Sequence, residues 1–374
     1  MKKILCFLSL FLIITTVSCT TQMPKTNISK KNATVTTTSL KQISDSKNST
    51  SSKSSNEIAQ AKSFVKIDMV AINSGYAITK DFHVVKTSDG GNSWADILTI
   101  SNISDDSAGS AYSTDFPDIA LFALDDKAVY VASFTANNGI VFEKSIDAGK
   151  SWSKSVLKIQ KDSSGNSVYG GTLVLSFINK SEGFLLLSAM PACGLMSKVL
   201  YRTTDGGNNW SLASKSLNSE QANTMTEIHG YTTGMAFSDA DTGYITCTYH
   251  GQTEISLYKT TDSGKSWSVA SFPLPKEYHS SVYEKNYYVD AYPPVFFGEG
   301  NKNAKMVLYF CHDDARHAYI YSSHDGGSTW CIDGISNMLM KTYCFVDNQN
   351  GFGLDENGTL YATKNGGVTW LAVP

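Results

Sequence analysis

Residues able to do chemistry are concentrated in two short segments of the chain. Residues 278–292 contain five tyrosines, with carboxylates and a histidine between them. Tyrosine rings stack on sugar rings or peptide groups, and carboxylates accept hydrogen bonds from either kind of ligand. The alternative is that some of these tyrosines begin a strand and fill the core. The segment supplies as candidate binding residues Tyr278, Tyr283, Tyr287, Tyr288, Asp290 and Tyr292.

The second segment is "CHDDARH", residues 311–317, whose cysteine, histidine and aspartate side chains can all bind metal ions. Its spacing matches no known ligand motif, so we expect neither a metal nor another cofactor. A loop of this composition can instead bind a polar ligand directly. This segment and its expected neighbour supply as candidate binding residues His250, His312, Asp313 and Arg316.

Two carboxylates facing one groove would be the minimum for glycoside hydrolysis. Their separation distinguishes the two outcomes, at about 5–5.5 Å for retention and about 6.5–9.5 Å for inversion. Asp290, Asp313, Asp314 and Glu254 could converge, but no motif singles out a pair. Nucleophile patterns such as G-x-S-x-G are also absent from the sequence. We therefore assign no catalytic residue and keep a glycoside hydrolase as the alternative to a binding protein.

These segments must be positioned by a repeated element that contains every tryptophan of the chain. "KTSDGGNSW" ends at Trp94, and five further copies follow, the last being "ATKNGGVTW" at Trp370. The tryptophans lie 40–63 residues apart, a period typical of propellers and other arrays. Each copy is surrounded by short alternating segments typical of strands. We predict an all-β fold, a six-bladed β-propeller of four-stranded antiparallel blades, with no strand shared between the chain ends.

Each copy is predicted to be the tight turn between strands C and D of a blade. A glycine supplies positive φ, the aspartate accepts backbone N–H groups, and the indole is buried between neighbouring sheets. The sixth copy has asparagine instead, which keeps an acceptor oxygen but loses the charge, so we expect the weakest turn there. We interpret the following residues as structural: Asp89, Trp94, Asp147, Trp152, Asp205, Trp210, Asp262, Trp267, Asp325, Trp330, Asn365 and Trp370.

The S/T-x-D-x-G-x-S/T-W pattern of these copies resembles the Asp-box, or BNR, repeat. The resemblance spans residues 87–370, with departures at Asn209 and Asn365. The Asp-box family includes sialidases, certain endoglucanases, the sortilin receptors and the photosystem II stability factor group. The "LYxTxDGGxxW" form after a Gly-aromatic strand is most similar to the last, non-catalytic group. The resemblance implies a propeller whose Asp boxes are structural and lie away from the functional site.

The resemblance does not extend to a sialidase. Members of that family bind the substrate carboxylate with three arginines, whose planar fork makes bidentate contacts. This chain has two arginines, Arg202 in a repeat strand and Arg316 in a loop segment. A sialidase is therefore disfavoured.

Loop length indicates which face of the propeller binds a ligand. In an antiparallel blade the A–B loop and the C–D turn lie on one face, and the B–C loop and the D–A crossover lie on the other. The C–D turns are short and alike, whereas the crossovers at 101–117 and 272–294 are long. Variable loops on a rigid scaffold commonly carry binding sites. We predict that the B–C/D–A face is the binding face.

The N-terminus is typical of an exported lipoprotein. Lys2 and Lys3 precede an apolar stretch that ends at "TVSC", residues 16–19, which resembles a lipobox except for Thr16. Residues 1–19 are predicted to be a signal peptide, with Cys19 lipidated on the extracytoplasmic side of the cell membrane. An ordinary secretory signal is the alternative. Residues 20–59 are rich in Ser, Thr and Lys, so we expect a disordered tether before a propeller at 60–374.

The charge of the chain bears on its function, and its cysteine content bears on disulfide formation. Residues 60–374 carry 23 Lys and Arg against 32 Asp and Glu, and an acidic domain argues against nucleic-acid binding. Five cysteines follow residue 60 without a C-x-x-C motif, and their pairing stays open. The sequence therefore predicts a monomeric binding or assembly module for a protein, peptide or glycan at the cell surface.

Overall fold

The structure is a computed structural model. It describes residues 63–101, 119–135, 139–159, 171–192, 195–216, 225, 228–249, 255–278, 287–312, 315–336 and 338–374. Residues 61–374 form one compact unit. The predicted signal peptide with Cys19 and the predicted tether lie outside the described residues. Within the described part, no helix is both long enough and apolar enough to cross a membrane.

The fold is a six-bladed β-propeller of antiparallel sheets, as the sequence predicts. Blade 1 consists of Phe64–Met69 (β1), Gly75–Thr79 (β2), His83–Thr87 (β3) and Ala95–Thr99 (β4). Blade 2 consists of Ile119–Ala123 (β5), Val129–Thr135 (β6), Gly139–Ser145 (β7) and Ser153–Lys158 (β8). Blade 3 consists of Thr172–Phe177 (β9), Gly183–Ala192 (β10), Leu195–Thr203 (β11) and Ser211–Ser216 (β12).

The second half of the ring repeats this arrangement with one variation. Blade 4 consists of Tyr231–Phe237 (β13), Gly243–Thr248 (β14), Leu257–Thr260 (β15) and Ser268–Val269 (β16). Blade 5 consists of Tyr287–Ala291 (β17), Val295–Phe297 (β18), Asn303–His312 (β19), Ala315–Ser323 (β20) and Cys331–Ser336 (β21). Blade 6 consists of Thr342–Phe345 (β22), Gly351–Leu354 (β23), Leu360–Thr363 (β24) and Leu371–Ala372 (β25). Short 3-10 helices lie at Lys276–Tyr278 and Glu299–Asn301.

The variation in blade 5 is a split first strand. β17 and β18 both pair with β19, and "YPP", residues 292–294, separates them. Proline has no N–H to donate to the ladder, so the strand is interrupted at this point. The ring of Pro293 packs against Gly234 of blade 4, where a Cβ atom would lie 2.4 Å from Pro293 Cγ. The break places Tyr292 between the two half-strands.

The first strands of the blades surround the axis, because each contacts the first strand of its neighbour around the ring. The last contact of this ring is between β22 of blade 6 and β1 of blade 1. Each sheet contains only consecutive strands, so no strand is shared between the chain ends. This agrees with the prediction of complete first and last blades.

Each Asp box is a turn held by its own side chains. In the first box, Thr87 Oγ1 and the Ser93 amide donate to Asp89 Oδ1 at 2.8 and 2.9 Å, and Ser93 Oγ donates to Oδ2 at 2.6 Å. In the second box, the Ser151 hydroxyl and amide lower the pKa of Asp147 to about 2. The boxes therefore satisfy their own carboxylates within the turn.

A backbone hydrogen bond joins every Asp box to the A–B loop of its own blade. The amide of Gly90 donates to Asn73 O at 3.0 Å in blade 1, and Gly366 donates to Gln349 O at 2.8 Å in blade 6. The intermediate blades make the same bond, from Ala148 to Lys127, Gly206 to Ser181, Ser263 to Asp241 and Gly326 to Lys302. The A–B loops and C–D turns therefore share one face, and the B–C loops and D–A crossovers share the other.

The tryptophans of the boxes lie in the seams between blades. Trp152 Nε1 donates to Ile97 O of the preceding blade at 3.1 Å. Trp330 meets Tyr244 of the preceding blade edge to face, with ring centroids 6.3 Å apart. Large aromatic surfaces buried in this way account for much of the packing between sheets.

Candidate functional site

An ion pair with a buried carboxylate lies where blades 4 and 5 meet on the B–C/D–A face. Arg316, the second residue of β20, donates from Nη2 to Oδ2 of Asp290 on β17. Thr248, the last residue of β14, donates from Oγ1 to the other oxygen, Asp290 Oδ1. Asp290 is 5% exposed and the Arg316 side chain is 34% exposed. The carboxylate therefore holds the guanidinium at the boundary between protein and solvent.

Two tyrosines extend this pair towards blade 6. The guanidinium carbon of Arg316 lies 5.0 Å from the centroid of the Tyr309 ring, a cation–π arrangement. Tyr309 donates its hydroxyl to Met340 O at 2.9 Å and accepts from Met340 N at 3.0 Å. Tyr292 meets Tyr309 edge to face at 5.2 Å. Burial raises the pKa of both tyrosines, so both phenols are neutral at physiological pH.

An open cleft of about 430 Å³ lies beside this cluster, and we call it the inner cleft. Its apolar wall is made by Leu339 and Met340 in the crossover to blade 6. Its remaining lining is aromatic or polar: Tyr292, Tyr309, Arg316, Lys341, Glu356 and Asn357. The cleft is on the B–C/D–A face, because Arg316 lies beside a B–C turn, residues 339–341 belong to a D–A crossover, and Glu356 and Asn357 belong to the B–C loop of blade 6.

The structure separates the other candidate residues. Tyr278 is buried in the core, with its ring 4.5 Å from that of Phe310, so it packs between strands. Tyr288 is partly buried against the core of blade 5 and does not line the inner cleft. The described residues include only the backbone of Tyr287 and His312. The remaining candidates lie outside the described residues, namely His250, Tyr283 and Asp313.

Among the described residues, the carboxylates at this site do not form the pair that glycoside hydrolysis requires. Both oxygens of Asp290 accept hydrogen bonds from protein side chains, and the residue is buried. Glu356 is the one carboxylate among the described residues that line the inner cleft. Asp313, Asp314 and Glu254 lie outside the described residues.

The two arginines of the chain lie in different blades. Arg202 on β11 pairs with Glu182 at 3.1 Å, close to the A–B loop of blade 3. Arg316 lies at the opposite end of its blade, next to the B–C turn. An arginine cluster for a substrate carboxylate is not formed by these two residues.

A second set of ionisable residues lies on β1 near the axis. Burial raises the pKa of Asp68 to about 7, although its Oδ2 accepts a 2.7 Å bond from the Ala123 amide. Burial, together with the charge of Lys341, lowers the pKa of Lys66 to about 8. Lys341 therefore lines the inner cleft and also repels the ammonium group of Lys66 near the axis.

Several lining residues of the inner cleft were not predicted from the sequence. Tyr309 lies in the middle of a strand, and Lys341, Glu356 and Asn357 lie in short connections. Loop length predicts a site at the long crossovers, whereas these residues lie in a strand or in short connections. The available signal was the "YPP" break, since a split inner strand marks an irregular place in the ring.

Among the described residues, no three His, Cys, Asp or Glu side chains are grouped as a metal site. Four of the cysteines are described, and all four are free thiols: Cys247, Cys311, Cys331 and Cys344.

Comparison with known proteins adds structural neighbours of low sequence identity. No family model matches the sequence, and no curated protein matches it. A structure of YCF48 bound to D1 peptide is 13% identical, with a TM-score of 0.43, covering 82% of this chain and 92% of that chain.

Two further neighbours are a GH74 enzyme and a lectin. A GH74 enzyme of Niastella koreensis is 16% identical with a TM-score of 0.46, covering 84% of this chain and 47% of that chain. A fucose-specific lectin from Aleuria aurantia is 11% identical with a TM-score of 0.45, covering 84% of this chain and 96% of that chain. These likenesses are too distant to carry an argument about ligand or activity.

Proposed function

We propose that the protein is a binding or assembly module that holds a peptide or glycan in the inner cleft. The observation that supports this is the Arg316–Tyr309–Tyr292 arrangement. The guanidinium is fixed by buried Asp290 and stacked on an aromatic ring, so its position is set before a ligand arrives. Preorganised polar groups beside aromatic surface are typical of sites that bind without large rearrangement.

The mixed charge of the inner cleft favours a ligand with both donors and acceptors. Arg316 and Lys341 supply donors, Glu356 supplies an acceptor, and Asn357 supplies both. Tyr292 and Tyr309 add aromatic surface, and Met340 adds apolar surface. Peptide groups and sugar hydroxyls match this combination better than a purely anionic ligand does.

The test is binding of the purified full chain to an array of oligosaccharides and an array of short peptides. We expect Lys341→Ala and Asn357→Ala to weaken binding of any hit at least about tenfold, which corresponds to about 1.4 kcal/mol. Lys364→Ala is the matched control, because Lys364 is an exposed lysine on the opposite face. Equal loss in all three variants would contradict a site in the inner cleft.

The alternative function is a glycoside hydrolase. It would need a second carboxylate, from Asp313, Asp314 or Glu254, to join Glu356. Hydrolysis of an arrayed oligosaccharide by the full chain, lost in Glu356→Gln and in one of those variants, would favour the enzyme over our proposal.

We further propose that the protein is exported and anchored to the cell membrane through a lipid on Cys19. The support is the order of Lys2, Lys3, an apolar stretch and "TVSC" in the sequence. We expect the wild-type chain to partition with membranes and to incorporate a labelled fatty acid. Cys19→Ala should abolish both, whereas a labelled fatty acid retained in that variant would contradict the anchor.

A further inference from the structure

A fully buried lysine holds the backbone on both sides of an exposed histidine in the crossover to blade 4. Lys198 on β11 is 0% exposed, and its Nζ donates to Ile228 O at 3.4 Å and to Gly230 O at 3.0 Å. A third bond goes to Met196 O at 3.2 Å. Three carbonyls therefore match the three donors of one ammonium group, and two of them flank His229.

Two further restraints act on the backbone of this histidine. The His229 amide donates to the Tyr258 hydroxyl at 3.0 Å. Gly230 has φ +91°, and a Cβ atom there would lie 2.6 Å from Thr248 O. A side chain at position 230 would therefore require the neighbouring strand to shift. The backbone of His229 is held at its own amide and on both sides, whereas its side chain is exposed.

Holding the crossover in this way is unfavourable for the charge that does it. Burial lowers the pKa of Lys198, because a buried ammonium loses its hydration. In some proteins a buried charge is retained because it fixes one arrangement of the chain. The arrangement fixed here is the segment 228–230, whose one exposed residue is His229.

The ring of His229 lies beside the ring of Tyr249, and we call these two residues the blade 4 aromatic pair. The ring planes are inclined by 18° and the centroids are 6.5 Å apart. Phe184 and Phe237, which stack face to face, are 3.6 Å apart, so the rings of the pair do not cover each other in that way. His229 precedes β13 and Tyr249 follows β14, so both lie on the B–C/D–A face.

The blade 4 aromatic pair combines ring faces with polar ring edges. The face of an aromatic ring is negative, so it attracts polarised C–H groups. A phenol hydroxyl both donates and accepts hydrogen bonds, and imidazole nitrogens also form them. A pyranose ring with equatorial hydroxyls has C–H groups on its faces and hydroxyls at its rim, so it matches both features. Peptide anchors, in contrast, commonly fill desolvated pockets, whereas His229 is exposed.

We propose that His229 and Tyr249 form a second binding site, which takes one pyranose ring of a glycan. The C–H face of the sugar stacks on the two rings, and its hydroxyls bond to the phenol and the imidazole. Lys198 is a positioning residue, because it holds the backbone that carries His229 and does not reach the ligand. The site belongs to blade 4 with support from blade 3, so it does not depend on the inner cleft of blades 5 and 6.

The test is isothermal titration calorimetry of the purified full chain with cellohexaose, xylohexaose and chitohexaose, whose ring hydroxyls are equatorial. We expect saturable binding of at least one of them. His229→Ala and Tyr249→Ala should each weaken that binding at least about fivefold, because each removes a ring. Tyr249→Phe keeps the ring and should lose less. The matched control is His324→Ala, an exposed histidine of the fifth Asp box on the opposite face, which should leave binding unchanged.

Asn357→Ala distinguishes this site from the inner cleft. Asn357 lines the inner cleft, so its variant should bind the hexaose as wild type does. A loss in Asn357→Ala without a loss in His229→Ala would place the sugar in the inner cleft and overturn the second site.

Lys198→Met separates positioning from contact with the ligand. It should weaken the hexaose at least about threefold in the wild-type background and cause little further loss in the His229→Ala background, because the ring that it positions is then absent. Equal losses in both backgrounds would overturn the positioning role. Thermal unfolding checks that each variant is folded at the temperature of the titration.

Three outcomes would overturn the proposal as a whole. The first is that none of the three hexaoses shows saturable binding. The second is that the loss in His229→Ala is no larger than that in His324→Ala. The third is that a capped Ser-Tyr-Ser-Tyr peptide binds more tightly than the hexaoses and loses its affinity in His229→Ala, which would assign the blade 4 aromatic pair to a peptide.

Discussion

The backbone amide of Phe64 donates a 3.2 Å hydrogen bond to the carbonyl of Gly358, and this bond joins the first blade to the last. Beside it, the amide of Met69 donates to Cys344 Sγ at 3.3 Å. A shared apolar cluster that includes Phe64 and Leu360 fills the rest of the seam. Because no strand crosses this seam, closure of the ring depends on these two hydrogen bonds and on side-chain packing.

Gly91→Ala should disturb this seam. Gly91 has φ +92°, and a Cβ atom there would lie 2.5 Å from Leu360 Cδ2 in blade 6. Backbone strain and overpacking together should cost about 2–4 kcal/mol of unfolding free energy. Urea unfolding followed by tryptophan fluorescence measures this loss.

Gly300→Ala is the control that measures the cost of backbone strain without overpacking. Gly300 has φ +64°, but a Cβ atom there would meet nothing within 4 Å. We expect a cost of about 1 kcal/mol from the left-handed conformation. If the two variants lost the same stability, packing across the seam would not be the cause.

Asp147→Asn should lower stability at neutral pH. The folded pKa of Asp147 is about 2, against an ordinary value of 3.8, because Ser151 donates to the carboxylate. A depressed pKa contributes stability that is present above the unfolded pKa and lost as the pH falls through the folded pKa. The variant should therefore melt below wild type at pH 7, and the difference should shrink as the pH approaches 2.

The reverse substitution, Asn365→Asp, provides the matched comparison for thermal unfolding. It restores the carboxylate to the sixth box, whose threonine pair already has the required geometry. We expect a higher melting temperature at pH 7 and no gain near pH 2. An increase at both pH values would show that the charge of the box is not the source of its stability.

The fold could be predicted from the sequence because each blade has a local marker. Asp89 and Trp94 act within one turn and its adjacent seam, so six copies of the pattern report six blades. The inner cleft could not be predicted in the same way. Tyr292, Lys341 and Glu356 are far apart in sequence, and they meet because the ring brings blade 5 against blade 6.

The sequence also could not predict which of the candidate side chains are buried and which line the cleft. From the sequence, the tyrosine-rich segment 278–292 could be either a binding patch or part of the core. In the structure, different tyrosines of the segment have different roles. Tyr278 ends the 3-10 helix Lys276–Tyr278 and is core, whereas Tyr292 follows β17 at the start of the "YPP" break and lines the inner cleft. Asp290 has a suitable residue type for catalysis, yet its partners Thr248 and Arg316 come from two other strands.

Arg316→Met should be strongly destabilising. The variant leaves the buried Asp290 carboxylate without the Arg316 charge, and because the guanidinium is partly exposed the cost should be about 2–3 kcal/mol, below that of a fully buried pair. Arg316→Lys keeps a charge near the carboxylate, so its loss should be smaller. Arg202→Met is the control, because its partner Glu182 is partly exposed whereas Asp290 is buried, and its cost should be within about 1 kcal/mol. Urea unfolding of the three variants gives the order, and an Arg316→Met cost no larger than that of Arg202→Met would show that the buried Asp290 carboxylate does not depend on the arginine.

Asp68→Asn should increase stability at alkaline pH. Burial raises the folded pKa of Asp68 to about 7, against 3.8 in its absence. Stability from a raised pKa is fully present below the unfolded value and is lost as the pH rises through the folded one, so wild type should weaken between about pH 4 and pH 7. Asparagine keeps an oxygen for the Ala123 amide and has no charge to bury. The variant should therefore exceed wild type by roughly 2–4 kcal/mol at pH 8 and match it more closely near pH 4. Asp96→Asn, at an exposed position on β4, is the control and should show no such gain, and a pH-independent difference for Asp68→Asn would contradict the assignment.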